Sequence, residues 1–197
     1  MNPRSASRRS SSAIPKLVLA SRSPQRRAIL EQLGVDFEVV DPQVEEIRSA
    51  ESPRVLVEEN ARRKAAAAAG ELVLGVDTVV VLDGRIIGKP GDGSQAREHL
   101  EALSGREHEV WSGICLSGQV SHAVTRVRFN PLLDEDLDWY LATGEWRERA
   151  GGYAIQGKGA ALVAEIAGDY WNVVGLPVAE LNRMAPGLIR NCQGLQG

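Results

Sequence analysis

KLVLASRSPQRRAILEQLG, residues 16–34, carries the reading of the whole chain. Lys16 to Ala20 is a short apolar run of strand type, and it ends in the hydroxyl-rich turn Ser21-Arg22-Ser23. Pro24 fits the first turn of a helix, where a missing N–H costs nothing, and Ser23 suits the N-cap before it. Ile29, Leu30 and Leu33 then recur at helical spacing, and Gly34 supplies the stop. The opening unit is strand, serine-rich turn, helix.

Outward from this unit, Phe37 to Val40 reads as a second strand, followed by the acidic turn Asp41 to Glu46. Pro53 to Ala69 is a long alanine-rich helix with Val55, Leu56, Ala61 and Ala65 on its buried side, and Gly70 ends it. Val73 to Leu82 is a strand of buried type interrupted by Gly75, Asp77 and Thr78. Asp83-Gly84 signals a hairpin, and Arg85 to Gly88 returns as the partner strand. A helix over Ser94 to Leu103 precedes two alternating strands, His108 to Ser117 and Ser121 to Phe129, and then a helix over Asp134 to Thr143. A glycine-dense loop spans 150–159. Leu162 to Ile166 and Trp171 to Val174 read as a last strand pair around Gly168-Asp169, and Val178 opens a terminal helix. Helices alternate with strands early and strands pair locally late, so the class is α/β with a mixed sheet.

The 197 residues, 43% hydrophobic and 25% charged, fit one sizeable domain or two small lobes sharing a cleft. A membrane span needs about 20 consecutive apolar residues, and nothing here approaches that. A net charge of −3 argues against a stable nucleic-acid partner bound through bulk basic charge. Cys115 and Cys192 make no disulfide framework, and no CxxC or HExxH spacing points to a structural metal. The chain reads as a cytoplasmic protein of a reducing compartment. Residues 1–15, rich in serine and arginine, read as a disordered extension, and 186–197 as a tail.

Several residues point to phosphate chemistry. A strand that ends in Ser21 and Ser23 and opens a helix offers free N–H groups and the positive end of the dipole to an anion. Arg26 and Arg27 add forked donors suited to phosphate oxygens. Asp77 stands in an otherwise apolar stretch, where a carboxylate is costly unless it is paired, which marks a candidate general base or metal ligand. Hairpin pairing across Asp83-Gly84 predicts Lys89 beside Asp77. Lys64 on one side and Glu45-Glu46 on the other suit a magnesium–phosphate ligand, since Mg2+ takes few carboxylates plus phosphate oxygens. Gln156, within Gly151 to Gly159, offers a donor and an acceptor for a base edge; a flexible flap is the plainer reading of that loop. His99, His108 and His122 have no cysteine or serine partner in a nucleophile context and read as structural or exposed, and the four tryptophans as core or interface residues.

Six ordered blocks then resemble one family. They are Leu19 to Arg27, Gly75 to Val80, Gly88-Lys89-Pro90, Leu103 to His108, Ala150 to Gly157 and Gly175-Leu176-Pro177. Together they resemble the Maf family of nucleoside triphosphate pyrophosphatases over about residues 16–185. The resemblance implies an elongated mixed β-sheet with flanking helices, two lobes around a cleft, as in inosine triphosphate pyrophosphatases, and a homodimer. It implies hydrolysis of a nucleoside triphosphate to the monophosphate and diphosphate with a divalent cation, Mg2+ or Mn2+, removing non-standard or excess nucleotides. Asp77 matches the family's general base, Arg26, Lys64 and Lys89 its phosphate cations, and Glu46 a carboxylate tied to activity, with Glu46 and Asp77 as metal-binding carboxylates. Thr78 and Gln156 look like the branch acting on dTTP and UTP, whereas Gln25 stands where that branch usually has Arg, so modified nucleotides stand beside dTTP and UTP as the substrates the resemblance implies. A nucleotide-binding regulator of cell division without turnover is the alternative from a different functional class.

Overall fold

The computed structural model describes residues 15–190, so all but Pro15 of the extension expected over 1–15, and residues 191–197 of the tail expected over 186–197, lie outside the described residues. Strand β1 (Leu17–Ala20) is buried along its whole length, as a central parallel strand must be. It feeds α1 (Pro24–Gln32), whose N-cap Ser23 accepts from Arg26 N–H and whose Ile29 and Leu30 are buried. Strand β2 (Phe37–Val40) follows, then α2 (Pro53–Ala66), capped by Ser52, which accepts from Val55 N–H. Strand β3 (Leu72–Leu82) runs unbroken through Gly75, Asp77 and Thr78, and β4 (Arg85–Ile87) returns from its hairpin. Helix α3 (Gly93–Leu103), β5 (Glu107–Leu116), β6 (Gln119–Phe129) and α4 (Asp134–Thr143) come next. Two 3-10 turns, Ala150–Gly152 and Lys158–Leu162, lead into β7 (Val163–Ala167), α5 (Tyr170–Val174) and α6 (Val178–Met184).

The seven strands form one mixed sheet ordered β2-β1-β3-β5-β6-β7, with β4 also paired to β3. Strands β2 and β3 flank β1 in parallel, whereas every pairing from β3 to β7 is antiparallel. No helix among the described residues is long and apolar enough to cross a membrane.

One correction concerns the expected last strand pair. Val163–Ala167 is a strand, but Tyr170–Val174 is a helix. Asp169 supplies the reason: its carboxylate accepts from Trp171 N–H at 2.9 Å and caps a helical turn, overriding the strand preference of Val173-Val174. The turn buries Asn172, whose amide donates to Val110 O and Thr125 Oγ1, both at 3.0 Å.

Apolar residues fill both faces of the sheet. On one face Leu17, Leu19 and Leu74 pack with Ile29 and Leu30 of α1 and Leu181 of α6. On the other, Val18, Ala20, Val73 and Cys115 pack with Ala61 and Ala65 of α2. A further cluster joins β5 and β6 to α3, α4 and the glycine-rich loop through Leu100, Val110, Phe129, Tyr140 and Tyr153. His108 belongs to it. Burial pushes its imidazole down to about 4, and its Nε2 lies 2.9 Å from Tyr153 OH, a structural role in keeping with its sequence reading.

Helix α2 lies unusually close to β3 and β5. A methyl group on Gly75 would overlap the Ala61 carbonyl and come within 2.6 Å of Ala65 N; on Gly113 it would overlap the Val57 carbonyl and come within 2.6 Å of Glu58 N. These obstacles are main chain and cannot rotate away. Gly113→Ala should therefore destabilise the protein by about 1–3 kcal/mol, measurable by chemical denaturation. A change under about 0.5 kcal/mol, the range of neutral surface substitutions, would show that α2 is not held at this distance.

Candidate active site

The site forms where the parallel strands end. Strand β1 stops at Ala20, opposite Val40 on one side and Gly75 on the other, while β3 continues past it to Asp77 and Thr78. The loops leaving β1 and β2 carry Ser21-Arg22-Ser23 and Glu45-Glu46, so both open toward that overhang. Open α/β sheets bind ligands at this carboxyl end.

Asp77 and Thr78 point to opposite faces because side chains alternate along a strand. Asp77 faces α2 and is 6% exposed. Its Oδ1 accepts from Lys64 Nζ at 2.7 Å and its Oδ2 from Asn60 Nδ2 at 3.0 Å. Lys64, itself buried, also pairs with Glu46 Oε1 at 2.6 Å. One ammonium thus holds two carboxylates together. Partial burial works against the charged form of Glu46, yet Lys64, with Lys89 and Arg26 behind it, brings its carboxyl below the usual range.

Thr78 faces α1 and holds Arg26. The Arg26 guanidinium donates from Nε to Gly175 O at 2.8 Å, from Nη1 to Ser21 Oγ at 3.1 Å and from Nη2 to Thr78 Oγ1 at 3.2 Å. Thr78 Oγ1 also shares a 2.8 Å hydrogen bond with Ser112 Oγ. Burial lowers the guanidinium from its ordinary value, against the pull of Asp77 and Glu46. Five N–H donors with three engaged leave two for a ligand.

The structure therefore gathers these residues into two bonded groups, Ser21–Arg26–Thr78 and Glu46–Lys64–Asp77, with Arg26 feeling the field of both carboxylates. Lys89 stands apart from the position expected for it. The β3–β4 ladder ends at Val80 and Ile87, so Lys89 lies beyond it and pairs with Glu148 at 3.3 Å, while Lys64 takes Asp77. Its field still reaches Glu46. Ser23 Oγ donates to Gln25 Oε1 at 2.9 Å at the start of α1. Gln156 is exposed. Its loop is built rather than loose: Ala154 N–H donates to Tyr140 OH at 2.9 Å, Lys158 N–H to Glu145 Oε2 at 2.7 Å and Gly151 N–H to Gly88 O at 3.0 Å. Gly157 lies against the Glu145 carboxylate, which a methyl group there would displace.

Asn60 escaped the sequence reading. Its signal was present: Asn60 and Lys64 are four residues apart, each followed by an alanine of the buried face, so both share the side of α2 that meets the sheet.

The donor set suits a divalent cation with a polyphosphate. Glu46 and Asp77 converge on one cationic position. No group of three or more His, Cys, Asp or Glu residues that could enclose a metal occurs among the described residues. Two carboxylates that leave the remaining coordination to water and phosphate oxygens are what Mg2+ commonly takes.

Removing one partner of a buried ion pair costs about 3–5 kcal/mol, because the other charge is stranded. Lys64→Met should show a loss of that order in chemical denaturation, and Asp77→Asn in the same chain should restore part of it. Fully additive losses would mean that Lys64 and Asp77 do not interact in solution.

Known proteins match this chain in sequence. A family model described as Maf-like protein matches residues 16–187. The dTTP/UTP pyrophosphatase of Symbiobacterium thermophilum is 49% identical over 172 residues, covering 83% of this chain and 89% of that protein. The dTTP/UTP pyrophosphatase of Anaeromyxobacter dehalogenans is 47% identical over 175 residues, covering 84% and 90%. That of Dictyoglomus turgidum is 44% identical over 181 residues, covering 86% and 94%. With its strand–serine turn–helix opening, its buried Asp77 and a match along nearly its whole described length, the chain belongs to the Maf family.

Proposed function

We propose that this protein is a nucleoside triphosphate pyrophosphatase that acts on dTTP and UTP, releasing the monophosphate and diphosphate. The observation that carries the reading is Asp77: a buried carboxylate, fixed by a donor on each oxygen, at the carboxyl end of the parallel strands. The relatives named dTTP/UTP pyrophosphatase support the substrate. A regulator that only binds nucleotide has no use for such a carboxylate beside its phosphate cations.

Hydrolysis at the α-phosphorus needs the polyanion neutralised and a water deprotonated. Arg26, with its two spare N–H donors at the start of α1, and Lys89, with an exposed ammonium, are the cations for the phosphate oxygens. Asp77 accepts the proton of the attacking water, because Lys64 and Asn60 leave its second lone pairs free and fix their direction. The diphosphate leaves toward the cationic side chains. Glu46 and Asp77 are the residues to hold Mg2+ or Mn2+, which supplies charge neutralisation on the phosphate oxygens when bound. Lys64 keeps the two carboxylates in register while holding their repulsion down. Ser21 and Thr78 orient Arg26, so the effect of Thr78 on substrate choice runs through that guanidinium, and Gln156 reads the base from its braced loop.

Asp77→Asn should lower diphosphate release from dTTP by about 10²–10⁴-fold while circular dichroism shows an unchanged fold. Turnover within a few-fold of the parent protein would remove Asp77 as the base. The role of Gln156 has its own test. A glutamine presents both donor and acceptor to the pyrimidine edge, whereas an ionised glutamate only accepts. An unpaired polar group costs about 1–3 kcal/mol. Gln156→Glu should therefore shift the ratio of kcat/KM for UTP over GTP by roughly ten- to a hundredfold toward GTP. An unchanged ratio would take Gln156 out of base reading.

A further inference from the structure

The acidic segment 41–52 between β2 and α2 has no regular secondary structure, yet it must present Glu46 to the site. Two side chains of α2, one helical turn apart, grip it there. Lys64 holds Glu46 itself. Asn60 holds the neighbouring residue: its Oδ1 accepts from Ile47 N–H at 2.9 Å and its Nδ2 donates to Ile47 O at 3.1 Å. The same Nδ2 donates its other hydrogen to Asp77 Oδ2 at 3.0 Å. Asn60 is 3% exposed, so its own amide has little water to replace a lost partner. The amide orientation follows from the chemistry, since a carboxylate only accepts and Ile47 N–H only donates.

We propose that Asn60 is a positioning residue for hydrolysis, its single amide fixing the Asp77 carboxylate and the Glu46-bearing segment in one arrangement. The inference rests on the reading of Asp77 as the group that takes the proton. No other common side chain of this size does both tasks. Aspartate keeps the acceptor for Ile47 N–H but loses both donated bonds and sets a second carboxylate against Asp77. Leucine loses all three bonds while filling the space. Misplacing a reacting group by about 1 Å can cost a hundredfold in rate, so the loss belongs in kcat rather than in substrate binding.

The test uses the full chain with Asn60→Leu and Asn60→Asp, steady-state kinetics on dTTP with Mg2+, and amide hydrogen exchange. Both variants should lose roughly ten- to a hundredfold in kcat with KM within threefold of the parent. Exchange at Ile47 should accelerate strongly in Asn60→Leu and less in Asn60→Asp, while the central amides of α2 stay protected. A kcat within threefold of the parent in Asn60→Leu, or exchange that rises as much throughout α2 as at Ile47, would overturn the proposal. A parent protein that releases no diphosphate would instead sink the proposed function, and exchange at Ile47 would still decide whether Asn60 clasps the segment.

Discussion

Helix α2 touches the sheet main chain to main chain at Gly75 and Gly113, and the site depends on that distance. Gly75 precedes Asp77 by two residues on the same face of β3, and Gly113 is the register partner of Asp77 on β5. The two bare positions therefore surround the carboxylate and let the helix settle onto it. Lys64 and Asn60 reach Asp77 only because Ala61 and Ala65 meet no side chain at Gly75. A helix standing off by the usual side-chain layer, with axes about 8–10 Å apart in helix packing and sheets about 10 Å apart, would leave Asp77 alone in an apolar wall.

Charge balance explains why such a group is tolerated. Burying an unpaired carboxylate is prohibitive, and a buried pair only breaks even when further hydrogen bonds complete it. Here Asp77 and Glu46 are matched by Lys64 and Arg26, and both Asp77 oxygens have donors. The arrangement spends folding stability on a carboxylate whose direction is set before substrate arrives, which is the preorganisation that electrostatic catalysis needs. Arg26 shows the same economy. Its guanidinium is held by the adjacent Ser21 and by two residues distant in sequence, Thr78 and Gly175, and two donors stay available.

Much of this was legible in the residues, and the rest was hidden for identifiable reasons. The strand, turn and helix of residues 16–34 and the anomaly of Asp77 follow from local chemistry, and the fold has Asp77 buried and paired as such a carboxylate must be. Gly75 looked like a break in a strand because its purpose, contact with a helix main chain, involves residues ten or more positions away. Lys89 was misplaced because a hairpin signal gives no ladder length; the pairing stops at Ile87. Val173-Val174 argued for a strand until Asp169 was recognised as a cap. Asn60 drew no attention in the sequence, although its spacing to Lys64 on the alanine face marks it as inward. Thr78 was readable as a site residue, but its grip on Arg26 required the third dimension.

The central claim is that water attacks the α-phosphorus of a nucleoside triphosphate. Hydrolysis of dTTP in water enriched in heavy oxygen, followed by mass spectrometry of the products, tests it most directly. The account predicts the label in thymidine monophosphate and none in diphosphate. Label in the diphosphate, or release of single phosphates in its place, would contradict it.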